Sequence, residues 1–134
     1  GCRVIGLADD LAYLVRGGRL PAWVKKVTDL LHISPLITAK NDRFGLAGFA
    51  LGIGARPAAL GKSALRRMKA GTSYRVFIAH GANHEGARQL RRYILERHTR
   101  VHSCHISEAG PALGVHLGPG GLVVGFLPQP QQLN

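Results

Sequence analysis

The stretch YRVFIAHGANHEGARQLRRYILERHTRVHSCHIS, residues 74–107, sets an amphipathic helix between two strand-like runs. YRVFIAH (74–80) is rich in β-branched and aromatic residues and is too short for a stable helix. HEGARQLRRYILERH (84–98) repeats apolar residues at helical spacing, with Leu90, Ile94 and Leu95 expected to face inward. RVHSCHIS (100–107) then reads as a further strand.

The same alternation runs through the chain ahead of it. VIGL near the start is a strand, followed by DDLAYLVRGG, a helix in which Leu7, Leu11 and Leu14 share a face. Asp9 and Asp10 suit its N-terminus, and Gly17-Gly18 stop it. Pro21 opens a second helix, PAWVKKVTDLLH, with Trp23, Val27, Leu30 and Leu31 in an apolar stripe opposite Lys25, Lys26 and Asp29. SPLITAK is a short β-branched strand, Asn41-Asp42 a turn, and FGLAGFALG a Gly-rich strand packed closely on its neighbours. Residues 57–69 are helical. The tail AGPALGVHLGPGG is punctuated by Gly and Pro and ends in the apolar run LVVGFL and a polar PQPQQLN terminus. Helices and strands interleave without an internal repeat or linker, so the fold class is an α/β sandwich with a mostly buried sheet.

The 134 residues, 46% hydrophobic, suffice for one domain with its own core. The chain enters a strand within a few residues of Gly1, with no charged leader, and is expected to be a piece of a longer protein. Residues 44–55 and 109–134 carry no formal charge, but the first segment is too short to span a bilayer and Gly and Pro break the second, so no membrane span is expected. Cys2 and Cys104 allow at most one bridge, which fits a reducing cytoplasm. The formal charge of +11 would attract nucleic acid, an anionic lipid surface or an acidic protein, without choosing among them.

Several catalytic and metal motifs fall short. RPAALGKS (56–63) misses a phosphate-binding loop by one residue, because Arg56 stands where the pattern needs Gly, and the segment reads as helix interior. Gly52-Ile53-Gly54 begins a dinucleotide fingerprint, but Pro57 takes the third Gly position. His102, Cys104 and His105, with His80 or His84, suggest a metal. In a regular strand 102 and 104 share a face while 105 points away, so no metal site is expected. The scattered carboxylates and the absence of a nucleophile-elbow serine leave no catalytic set. For nucleic acid, Arg88, Arg91, Arg92 and Arg97 share one broad helix face and Lys62, Arg66, Arg67 and Lys69 thicken another, yet aromatics are only 6% of residues. A solvated basic face is the expectation, with a basic nucleic-acid-binding or regulatory domain as the alternative reading.

Three pieces in order, DDLAYLVRGGRL, ISPLIT and AGPALGVHLGPGGLVVGF, resemble the second half of DegV-family proteins. GVHLGPGG at 114–121 matches that family's G-x-H-x-G-P-G signature, and GGR at 17–19 sits at the corresponding place. The resemblance implies a C-terminal domain of two-layer type over residues 1–134, a mixed β-sheet packed by helices, whose upstream N-terminal domain lies outside this chain. In that family two α/β domains close around one fatty acid. The implied function is therefore a non-enzymatic module that shelters a long-chain fatty acid and presents its carboxylate to a dihydroxyacetone-kinase-like fatty acid kinase, separate or fused, for acyl-phosphate formation.

No cofactor of its own is implied. The head group would meet Arg19, His116, Gly118 and Gly120, a guanidinium, a ring N–H and backbone amides suited to an anion. Arg19 equally suits capping of the preceding helix, and His116 a buried histidine bonded to backbone. Leu14, Trp23, Val27, Leu30, Leu31 and Leu113 would line a tail tunnel, or fill a core. Where the family carries a basic stretch for its kinase, this chain has GFALGIGARPAALGKS, with Arg56 as the nearest candidate.

Overall fold

The structure is a computed structural model that describes residues 2–7, 21–23, 26, 30, 33–40, 43–110 and 120–130. Within them the chain runs β1 (Arg3–Leu7), β2 (Ile33–Lys40), β3 (Arg43–Leu51), a 3-10 turn (Ile53–Ala55), α1 (Arg56–Arg67), β4 (Tyr74–His80), α2 (His84–Arg97), β5 (Val101–Glu108) and β6 (Leu122–Pro128). The strands form one sheet in the order β3-β2-β1-β6-β4-β5. It is mixed: β4 and β5 are parallel and joined through α2, while every other neighbouring pair is antiparallel.

Period-2 alternation in β4 shows which face is covered. Tyr74, Val76, Ile78 and His80 are buried, whereas Arg75 and Phe77 are exposed. Through the strand pairings, the buried set continues as Phe126, Val124 and Leu122 on β6 and Ile5 and Leu7 on β1. Onto this face pack Leu60 and Ala64 of α1 and Ala87, Leu90 and Ile94 of α2. Burial of each Leu or Ile here contributes roughly 1.5–3 kcal/mol.

Both helices follow their sequence signals. Asn83 caps α2, its Oδ1 accepting the Gly86 N–H at 3.1 Å, with Glu85 in the first turn and Arg97 in the last. Pro57 opens α1. The helices cross closely at Gly61, where an added Cβ would lie 2.5 Å from the Tyr93 ring. At the hairpin of β2 and β3 the pairs Leu36↔Gly48 and Ile37↔Leu46 leave Ala47 as a bulge. The buried Ser63 hydroxyl of α1 donates to the Ala47 carbonyl at 3.0 Å, satisfying the group that the bulge frees.

The opposite face carries Val4 and Gly6 on β1, Ile37 on β2, Leu46 on β3, Val123 and Gly125 on β6 and Phe77 on β4, as their pairings require. It is apolar across the central strands. Neither α1 nor α2 lies on it.

Some expectations are corrected. Leu7 is not on a helix face: it ends β1, is buried, and pairs with Leu122. Leu95 does not face inward; it is 43% exposed because Ala87, Leu90 and Ile94 define the buried stripe and Leu95 stands about 100° from Ile94. LVVGFL, read only as an apolar run, is β6 between β1 and β4. It has no polar alternation because both faces are apolar: Leu122, Val124 and Phe126 are buried under the helices, and Val123, Gly125 and Leu127 lie on the other face. Ala22, Trp23, Lys26 and Leu30 are helical, as expected of the segment opened by Pro21. The helix expected over DDLAYLVRGG and the turn at 41–42 lie outside the described residues, although Lys40 pairs with Arg43.

Candidate functional site

The strand directions gather chain ends at one sheet edge. Leu7 ends β1, Leu122 begins β6 and His80 ends β4, and these residues form one continuous row. β3 and β5 also terminate toward this edge, and α1 and α2 both begin there after β3 and β4. Carboxyl ends of strands are where open α/β sheets bind ligands, and helix N-termini present N–H groups and positive dipole ends to anions. In sequence, Arg19 follows β1, which ends at Leu7, and His116 and Gly118 precede β6, which begins at Leu122. The segments carrying the candidate head-group residues are thus tied to adjacent strands at the same edge.

A hydrogen-bond node fastens the second of these segments. Gly81 N–H donates to the Gly121 carbonyl at 3.0 Å, and Gly120 N–H donates to the Gly81 carbonyl at 2.7 Å. The Asn83 side chain donates from Nδ2 to the Gly120 carbonyl at 3.1 Å while its Oδ1 caps α2. Asn83 N–H in turn donates to Nδ1 of the buried His80 at 3.0 Å, and the His84 ring stands edge-on to His80 at 5.5 Å. Gly120 holds φ +86° and Ala82 holds φ +47°. The latter lies in the left-handed region that non-glycine residues occupy rarely, and the surrounding bonds hold it there.

Of the predicted head-group residues, Gly120 sits in this node; Arg19, His116 and Gly118 lie outside the described residues. Of the predicted tail residues, Trp23 is 64% and Leu30 78% exposed, while Leu14, Val27, Leu31 and Leu113 lie outside. Arg56 begins α1 at the same edge, its Nε donating to Ser34 Oγ at 3.0 Å. The sequence reading missed Asn83 altogether and weighed His80 only as a metal ligand. An Asn just ahead of an acidic first turn and an amphipathic run was the available signal.

The rejected motifs resolve as structure. Residues 56–63 are helical in α1, and Lys62 is an exposed helix residue. The expected face-sharing of His102 and Cys104 is corrected: the β4–β5 register steps from Val101 to Ser103, so His102 is bulged out. His102 and His105 line one shallow hollow with Arg75, Phe77 and Ser103, while Cys104 packs against the core. Burial raises the Cys104 thiol, only partly offset by Arg91, which disfavours the thiolate a metal or nucleophile needs. No group of three or more His, Cys, Asp or Glu able to hold a metal occurs among the described residues.

The basic faces are real but unequal. Arg88, Arg91 and Arg92 line a shallow surface hollow with Leu95 and Glu96, whereas Arg97 lies 3.7 Å over the Tyr93 ring. Arg67 donates to the carbonyl and hydroxyl of Ser63, both at 2.9 Å. Burial, then Arg3 and Arg66, lower its guanidinium from the usual value. Among the described residues no helix is long and apolar enough to cross a membrane.

Known proteins share this architecture. A DegV domain-containing protein of Streptococcus pneumoniae is 29% identical over 129 residues, spanning 91% of this chain and 43% of that protein. The chain therefore covers less than half the length of this relative. A DegV-family protein from Thermus thermophilus, described by its fatty acid binding, superposes with a TM-score of 0.78 at 25% identity, over 96% of this chain and 46% of its own. The Streptococcus pneumoniae fatty acid kinase B3 protein, loaded with linoleic acid, superposes at 0.79 with 22% identity, over 93% and 44%. The family model described as uncharacterised protein, DegV family, matches residues 3–129, which hold all six described strands, α1 and α2. By sequence and by fold, the chain belongs to the DegV family.

Proposed function

We propose that this chain is the C-terminal domain of a two-domain DegV protein that encloses a long-chain fatty acid and presents its carboxylate to a fatty acid kinase, separate or fused. The observation that carries the reading is the row Leu7–Leu122–His80: the segments bearing Arg19 and His116 attach to adjacent strands, at the edge where both helices begin. There a carboxylate would meet a guanidinium, an imidazole N–H and backbone amides. The names of the relatives, one a fatty-acid-binding protein and one a fatty acid kinase component, support the same ligand.

The tail would lie over the apolar sheet face, where Gly125 leaves space beside Val4 while Val123 packs over Gly6, with Ile37 and Leu46 continuing the face. The expected lining residues Leu14, Trp23, Val27, Leu30, Leu31 and Leu113 would close it from above. About 0.8 kcal/mol per buried methylene would dominate the affinity. Arg56, at the same edge, is the proposed kinase contact. The protein itself would hold and orient the acid; bond formation to phosphate would take place on the kinase, cytoplasmic in this reading.

Titration of the full-length protein with palmitate at low and high salt tests this. Tail burial predicts binding nearly independent of ionic strength and weakened by Arg19→Ala and His116→Ala. Binding of oligonucleotides that collapses as salt rises, with no palmitate uptake, would support the nucleic-acid reading instead.

A further inference from the structure

The node around Asn83 carries an inference that rests on, and deepens, the carboxylate-site reading. Asn83 does two jobs with one side chain: its Oδ1 caps α2 through Gly86 N–H, and its Nδ2 holds the Gly120 carbonyl at the end of the 114–121 segment. Its own N–H is fixed by His80 Nδ1, which is buried at the end of the central strand β4. The amide group is therefore gripped from both sides.

We propose that Asn83, oriented by His80, is a positioning residue that sets the 114–121 segment, and with it His116, for carboxylate binding. The surrounding residues fit this role. Gly86 leaves the space the amide occupies, since an added Cβ would lie 2.5 Å from Asn83 Nδ2 and 2.8 Å from Oδ1. Gly86 is the third residue of α2, in the first turn, where its N–H is the one capped by Oδ1, so its missing side chain admits the whole amide group. Ala82 is held at φ +47° immediately before it. Gly120, at φ +86°, receives the amide's hydrogen bond and returns its own N–H to Gly81. A helix cap alone requires neither the second bond nor the left-handed residue beside it.

One substitution separates positioning from capping, and a second disturbs both. Asn83→Ser keeps a good cap acceptor but cannot reach Gly120. Gly86→Ala pushes the whole amide aside, the capping Oδ1 as well as Nδ2, and so disturbs both bonds. In the full-length protein, hydrogen exchange without ligand and equilibrium binding of palmitate are measured together with Tm.

Expected for both variants are exchange at least about tenfold faster in the peptide covering 111–121, with the middle of α2 unchanged, and palmitate binding weakened about tenfold, the equivalent of one aligned hydrogen bond. Tm stays within a few degrees for Asn83→Ser and falls further for Gly86→Ala, which loses the cap as well. His80→Asn, whose side-chain oxygen can replace Nδ1 as acceptor, retains more binding than His80→Leu. Unchanged exchange at 111–121 in both variants overturns the anchoring, whether or not the protein binds fatty acid. Faster exchange with undiminished palmitate affinity overturns the positioning role. A wild-type protein that takes up no palmitate removes the carboxylate-site reading and the positioning role with it, while the exchange data still decide whether Asn83 anchors the segment.

Discussion

Gly125→Leu tests where the tail runs. Gly125 lies on the apolar face of β6, paired with Val4 of β1 and Phe77 of β4. The nearest described atoms to an added Cβ are Val4 Cγ2 at 3.7 Å and the Arg3 carbonyl at 3.9 Å, ordinary contacts that require no backbone shift. A leucine there should leave the fold intact and project its branched end over the sheet face, into the proposed tail path. Displacing roughly three or four methylenes at about 0.8 kcal/mol each removes on the order of 3 kcal/mol, or about a hundredfold in Kd. Competitive displacement of a fluorescent fatty acid from the full-length protein, with palmitate and octanoate compared, gives the readout. Palmitate should lose about two orders of magnitude while octanoate, whose chain would end near Gly125, about 10 Å along β6 from Leu122 at the edge, loses much less. Unchanged palmitate affinity in a variant with wild-type Tm would refute a tail path over this face.

Gly61→Leu should destabilise the protein by about 1–3 kcal/mol in urea unfolding, because the new side chain enters the Tyr93 ring where α1 meets α2. Ser63→Ala should cost about 1–3 kcal/mol by leaving the Ala47 bulge carbonyl without its buried donor and Arg67 without one of its acceptors. Alkylation followed by peptide mass spectrometry should modify exposed Cys2 well before Cys104, whose thiol burial raises. Because the unfolded chain releases the Cys104 proton first, stability should fall as pH rises through the ordinary thiol range, and Cys104→Val should flatten that part of the profile.

Residues 74–107 were legible because strand and helix periods follow one another with clear boundaries, and β4, α2 and β5 fall there as expected. The centre of the sheet was harder. LVVGFL is apolar on both faces, which erases alternation, and Leu7 completes a strand although it also fits the spacing of the helical pattern after it. His102 shows a different limit: a bulge reverses which residues share a face, and no local signal marks it. The glycine signature at 114–121 suggested the proposed head-group segment, whereas Asn83 went unnoticed, and its second bond reaches 37 positions along the chain. Long-range partners of that kind are set by topology, and periodicity does not record them.

The most direct measurement is mass spectrometry of lipids extracted from the purified full-length protein, before and after incubation with mixed fatty acids. The account predicts a stoichiometric fatty acid, lost from Arg19→Ala and His116→Ala. A full-length protein that remains free of lipid after that incubation would contradict it.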